Sequence, residues 1–371
     1  MFFQEYRHMN LDGARNAKAE VFEEVFHYQA APTAAVEGRS SPLFLPMQKT
    51  SAHKNIVDGR KRKRRDARDL ISLGILAPEN HNRNPNDLQL GIFIQRDDLR
   101  QHPIVEAAQR HARGEAQVIY TGRIRRRAVN PGRCRPLRIG ASVGHYRVSA
   151  GTIGCFCKHE GGGIGILSNN HILADTNQAS RGDIILQQAR KDGGNRKDAE
   201  SRAATLFDFV PIDFAADTRN LVDCAFASLI GGVTCDAAIA QDPRDPGNRW
   251  SIAKAPVDLL ANDPVKKIGR TTGFTRGQVV AIDVDNVVVA MTLGHGERLA
   301  RFDNQIVIEG SDGPFSAGGD SGSLICADDG SPAALLFAGT ETGGKNGYGV
   351  TFANPIRAVP EALDLEIYTD S

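Results

Sequence analysis

Ser321 stands in the string Gly318-Gly319-Asp320-Ser321-Gly322-Ser323, whose glycines permit a tight turn that presents the hydroxyl. A serine hydroxyl is a weak nucleophile at neutral pH. It needs a base within reach, a third group that orients the base, and N–H donors aimed at the oxyanion formed on attack. The backbone N–H groups of Gly319 and Ser321 are the candidate donors. His171 closes the segment Ile166-Leu167-Ser168-Asn169-Asn170-His171, an apolar strand that ends on polar residues, and a base belongs at such an edge. Asp223, in Leu221-Val222-Asp223-Cys224-Ala225-Phe226-Ala227, is a lone carboxylate in an apolar segment. Ionisation there is costly without a strong partner, which an imidazole N–H would supply. The chemistry such a set could carry is acyl transfer through a covalent intermediate.

Each group has competitors. His145 is the other histidine in a comparable setting, and Asp213 and Asp217 compete with Asp223. Cys155-Phe156-Cys157 with His159 could be read as metal ligands, but zinc sites usually space their cysteines by two to four residues. Two small buried side chains on one face of a strand explain the pair without a metal, and neither a metal nor an organic cofactor is expected. The stretch Gly269-Arg270-Thr271-Thr272-Gly273-Phe274-Thr275-Arg276-Gly277 lacks the ending of a phosphate loop and reads as a β-hairpin.

The histidine, aspartate and serine segments together resemble those of trypsin-like serine peptidases, and they occur in the same chain order. Their intervals are 52 and 98 residues, against about 45 and about 90 in that family. With residues 267–277 included, the chain is similar to the branch that contains bacterial and plant narrow-leaf-type trypsin-like peptidases. The resemblance covers about residues 138–356 and implies a chymotrypsin-like double β-barrel. It also implies His171, Asp223 and Ser321 as the catalytic triad, with Gly319 and Ser321 as the oxyanion hole.

Departures from the family pattern carry expectations of their own. Ile172 and Ala317 stand where two disulfide cysteines of secreted members would be. Phe315, six residues before the serine, occupies the position that sets the floor of the primary specificity pocket, so the acidic group that selects Arg or Lys is missing. The resemblance therefore implies a pocket lined by Phe315, Ser316, Gly339 and Thr340, taking small or apolar side chains. Ile56-Val57-Asp58-Gly59 is only faintly similar to the new N-terminus of a cleaved zymogen, and it lies too far from His171 to act as one.

The elements that must position these residues can be read from periodicity. Short apolar runs separated by Gly, Asn and Asp recur from about residue 138, at 143–148, 164–168, 222–229, 279–283, 286–291, 305–308, 323–326, 333–338 and 349–353. That texture predicts a mostly β domain over 138–371, closed by a helix at 355–367. Ahead of it, strands at 70–76, 88–95 and 117–121 and a helix at 99–113 predict a small α+β domain over 69–123. Residues 1–68 read as a helix at 14–28 followed by an exposed connector that carries the basic run 60–65. Residues 124–137 read as a basic linker.

With 371 residues, 41% apolar and 24% charged, the chain is long enough for two or three domains and has a globular composition. A net charge of +1 gives no general attraction to nucleic acid or to an anionic membrane. The expected partner is a protein or peptide substrate, with the N-terminal region as the surface for a regulatory partner or a second copy. The first residues have no apolar stretch of signal-peptide or membrane-spanning length. The six cysteines have no framework spacing, so a reducing cytoplasm is the expected location. Two rival readings are a silent binding or scaffold module on the same fold and the protease component of a bacterial defence or signalling system.

Overall fold

The structure, a computed structural model, describes residues 9–30, 44–46, 66–77, 88–112, 114–122, 132–242, 245–253, 255–294 and 296–369. The basic run 60–65, the segment 56–59 and residues 124–131 lie outside the described residues.

The chain is mostly β, as the spacing of its apolar runs predicts. Six strands pair in the order Pro264–Gly269, Leu324–Ala327, Pro332–Gly339, Thr351–Pro355, Gln305–Gly310 and Gly273–Asp285. The last of these pairs back with the first through the register Pro264↔Gln278 to Gly269↔Gly273, so this sheet closes as a barrel. Closure leaves no free edges among these six strands. Alternate side chains point inward to make a core that includes Val265, Val279, Ile308, Phe315, Ile325 and Leu336.

A second sheet is curled and places Cys155–His159, Gly163–Ser168, Ala225–Leu229, Arg202–Phe209, Ile184–Leu186 and Ser142–His145 side by side. Its core is continuous with the barrel. Phe156, Ile166, Leu206 and Phe226 belong to one buried cluster with Ile268, Leu324 and Leu335 of the barrel strands. Buried apolar area, rather than a linker, therefore joins the two sheets. The C-terminal helix Ala358–Leu363 is shorter than expected, because Glu366–Ile367 turns back to pair with Cys155–His159.

The N-terminal region extends the barrel's sheet. Ile71–Leu76 pairs antiparallel with the long strand Gly273–Asp285, matching Leu76 to Ala281 and Ile75 to Ile282. Gln89–Ile94 and Ala116–Tyr120 continue outward from it. Helix Leu11–Glu20 begins before the predicted start because Asn10 caps it, its side-chain oxygen accepting from the Gly13 N–H at 2.7 Å. Its Lys18 is buried against Asp285, 3.0 Å away, at the end of the same long strand. The second helix is confined to Pro103–His111, Pro103 fitting the first turn and a 3-10 turn at Asp97–Gln101 preceding it.

Candidate active site

His171 lies in the short helical turn Asn170–Leu173 that follows strand Gly163–Ser168, and Asp223 lies two residues before strand Ala225–Leu229. These strands are hydrogen-bonded neighbours, with Ser168 opposite Ala225, which brings the imidazole and the carboxylate together. The His171 Nδ1 to Asp223 Oδ2 distance is 2.5 Å, and the His171 backbone N–H donates to Asp223 Oδ1 at 3.2 Å. Both side chains are buried. The pairing fixes the tautomer: Nδ1 carries the proton donated to the carboxylate, which leaves Nε2 as the basic atom. Nε2 is itself buried and has no hydrogen-bond partner among the described residues.

Neutral groups hold the pair in place. Asn169 Nδ2 donates to the Asp223 carbonyl at 2.7 Å, and the Asp223 N–H donates to Asn354 Oδ1 at 3.0 Å. Asn354 belongs to barrel strand Thr351–Pro355 and also donates to Gln305 Oε1 at 2.6 Å. The barrel thus reaches across to position the aspartate of the other sheet.

Ser321 lies between barrel strands Gln305–Gly310 and Leu324–Ala327. Its carbonyl accepts from the Thr152 N–H at 2.9 Å, while Thr152 Oγ1 donates to the Gly319 carbonyl at 2.7 Å. Ser168, three residues before His171, donates its hydroxyl to the Thr152 carbonyl at 2.7 Å. These bonds press the Ser321 turn against the end of strand Gly163–Ser168, just ahead of His171. Gly322, at φ +93°, fits here because a Cβ would lie 2.0 Å from Ser168 Oγ. Gly319, at φ +95°, likewise takes a conformation that disfavours other residues. Among the described residues, neither the Gly319 nor the Ser321 N–H is bonded to a protein acceptor. The hydrogen bond from Ser321 Oγ to His171 Nε2 is not made in this structure; such bonds often tighten only with substrate.

Asp320 is buried and saturated with donors. It accepts from the N–H groups of Thr271 at 2.7 Å, Thr272 at 3.2 Å and Ala317 at 2.9 Å, and from the Thr272 hydroxyl at 2.7 Å. Lys267 Nζ is 3.5 Å from Asp320 Oδ2, and it too is buried. Residues 270–272 form the hairpin turn expected from the sequence, between Pro264–Gly269 and Gly273–Asp285. Arg270 ties this turn to the other sheet through a buried ion pair with Asp192, at 2.5 and 2.6 Å.

The residues expected around the specificity pocket part company. Ser316 Oγ lies 2.6 Å from Thr351 Oγ1, and a Cβ on Gly339 would be 3.3 Å from the same Ser316 oxygen. Thr340 Oγ1 accepts from the Val350 N–H at 2.9 Å. Phe315 turns the other way. Its ring lies in the barrel core, against Gly277 and beneath Lys267 Nζ, 5.7 Å from the ring centre.

The competing residues are also placed. His145 pairs with Asp183 at 3.2 Å, and burial holds its imidazole below the usual histidine range. Asp213 accepts from the Ala215 N–H in a local turn. Cys155 and Cys157 share one strand face with their sulfurs 3.9 Å apart, and all six cysteines are free. Among the described residues no group of three or more His, Cys, Asp or Glu side chains could hold a metal, and no helix is long and apolar enough to cross a membrane. Asn354, Thr152, Ser168 and Lys267 were invisible as site residues in the sequence. Only Lys267 left a trace, since it shares a strand face with the apolar Val265 two residues earlier.

No family model and no curated protein matches the chain. Among solved structures it is similar to protease A from Thermobifida fusca, at 15% identity, covering 64% of this chain and 100% of that one, with a TM-score of 0.42. It is also similar to a Cellulomonas bogoriensis chymotrypsin, at 18% identity over 64% and 100% of the two chains and a TM-score of 0.42. A Nocardiopsis protease matches at 14% identity over 64% and 100%, with a TM-score of 0.43.

Proposed function

We propose that the chain is a serine endopeptidase in which His171 removes the proton of Ser321 as its oxygen attacks a peptide carbonyl. The observation that carries this reading is the buried His171–Asp223 pair, whose Nε2 is unpartnered, together with a glycine-flanked Ser321 turn tied through Thr152 to Ser168, three residues before the histidine. Asp223 holds the tautomer and stabilises the imidazolium formed on proton transfer. The two unbonded N–H groups of Gly319 and Ser321 receive the oxyanion. His171 then protonates the leaving amine, and water resolves the acyl-enzyme by the reverse sequence.

Ser316, Gly339 and Thr340, together with Thr351, form the neighbourhood for the substrate side chain ahead of the scissile bond. Their small size and the absence of a carboxylate among them favour small or apolar side chains. Phe315 is better read as a core residue beneath the site than as its floor. The finer family reading, a member of the branch that includes the narrow-leaf-type peptidases, rests on the sequence resemblance alone, and a cytoplasmic location rests on the lack of a disulfide framework among the cysteines. A regulatory role for the N-terminal region is supported by its hydrogen bond to the loop beyond Gly339, where the Gly344 N–H donates to the Tyr120 carbonyl at 2.7 Å.

Hydrolysis of a peptide library by wild type and by Ser321→Ala tests the reading. We expect turnover by wild type after small or apolar residues and a loss on the order of a million-fold in kcat for the variant. Equal turnover by the two proteins would refute the mechanism, and preferential cleavage after Arg would refute the specificity.

A further inference from the structure

We infer that Lys267 is a positioning residue: it supplies, from within the chain, the cation that locks Asp320 and with it the Ser321 turn, so that the site is set without a newly cut N-terminus. This rests on the reading of Ser321 as the nucleophile. A buried carboxylate next to the nucleophile is costly unless it is paired and hydrogen-bonded. Asp320 is 0% exposed, and so is Lys267, whose Nζ lies 3.5 Å from Asp320 Oδ2.

The lysine is fixed in turn. Its Nζ donates to the Thr272 hydroxyl and, at 3.2 Å, to the Gly273 carbonyl, and it sits over the Phe315 ring. Thr272 is shared, because its hydroxyl donates to Asp320 Oδ2. Cation, hydroxyl and carboxylate therefore form one buried chain from barrel strand Pro264–Gly269 to the residue before the nucleophile.

That chain reaches the atoms that matter for catalysis. With Asp320 fixed by the Ala317, Thr271 and Thr272 N–H groups, the Gly318–Gly319 segment has little freedom. The Gly318 carbonyl accepts from Thr271 Oγ1 at 2.6 Å, and the Gly319 carbonyl accepts from Thr152 Oγ1 at 2.7 Å. The two peptide units that flank Gly319 are thus each anchored through the carbonyl oxygen, and the planar Gly318–Gly319 unit orients the Gly319 N–H. Lys267 acts through this anchorage and has no contact with the serine hydroxyl.

The test is kcat and KM on a peptide amide for the full-length wild type, Lys267→Met and Thr272→Val, with intact mass measured on the active wild-type protein. We expect the uncut wild-type chain to be active. Lys267→Met should lower kcat by about 100-fold, the scale of a lost oxyanion donor, with KM changed less than about threefold. Thr272→Val keeps the cation and removes one hydroxyl, so it should lower kcat by about tenfold and remains informative if Lys267→Met does not fold. Activity confined to chains cut near their N-terminus would overturn the inference. So would wild-type kcat in Lys267→Met, or in Thr272→Val where only that variant folds. An inactive wild type would instead remove the peptidase reading itself.

Discussion

Asp223 and Asp320 are both fully buried aspartates, yet the molecule treats their charges in opposite ways. Asp320, in the turn that carries Ser321, has an ion-pair partner in the Lys267 ammonium and four hydrogen bonds from Thr271, Thr272 and Ala317. Asp223, on the histidine side, faces an imidazole that becomes a cation only on accepting a proton. A carboxylate with a fixed partner builds structure. One with a titratable partner stores an interaction that strengthens as the proton moves, the property a base-orienting group requires. On the proposed mechanism the two sheets divide the work accordingly: the closed barrel makes a rigid turn, and the curled sheet presents His171 as the base, its Nε2 unengaged.

The sharpest way to break this comparison is on the histidine side. His171→Ala should lower kcat by a factor on the order of a million, and adding Ser321→Ala should cost almost nothing further, because the groups act as a unit. Additive losses in the double variant would separate the two residues. Asp223→Asn should cost about 10⁴ in kcat through the wrong tautomer, with only a small shift in urea midpoint. Asp320→Asn should do the reverse in emphasis. It strands the buried Lys267 charge and should destabilise by about 3–5 kcal/mol in urea unfolding. Equal destabilisation by the two asparagine variants would end the distinction between a working and a structural aspartate.

Smaller effects sharpen it. Asn354→Leu removes the acceptor of the Asp223 N–H and should cost about 1–3 kcal/mol. An unchanged unfolding midpoint would mean that the barrel does not position the aspartate. The smallest expected effect is at Glu309, which accepts the Lys345 and Asn346 N–H groups under the loop beyond Gly339 and whose carboxyl is raised by burial. A raised carboxyl favours the folded state most at low pH, and this contribution is lost as pH rises through its folded pKa. The stability of wild type relative to Glu309→Gln should therefore fall as pH rises above the ordinary carboxylate range and through the carboxyl's raised pKa. A difference that grows with pH would reverse the assignment.

Much of this was legible in the sequence. The strands at 164–168, 305–308 and 333–338 were evident because their apolar runs are short and bounded by turn residues. Arg202–Phe209 was missed because Arg202, Thr205 and Asp208 interrupt its pattern on the half-exposed side. The residues of the proposed triad stand out by local setting, since an isolated carboxylate in VDCAFA and a serine among glycines are each chemically unusual. Side-chain direction was not readable. Counting back from Ser321 located Phe315 in the chain, but its ring fills the barrel core because Gly277 leaves room for it there. Asn354 and Thr152 were hidden for a related reason: their roles come from cross-sheet hydrogen bonds, which leave no period in the chain. The welding of Ile71–Leu76 onto the barrel was equally hidden, because register between distant strands depends on which edges meet.

The central claim is that Ser321 is an activated nucleophile beside His171. Reaction of the full-length protein with a fluorophosphonate, followed by peptide mass spectrometry, addresses it directly. A single adduct on Ser321, lost in Ser321→Ala and strongly slowed in His171→Ala, is the result expected. A wild-type protein that stays unmodified, or an adduct elsewhere that persists in Ser321→Ala, would contradict it.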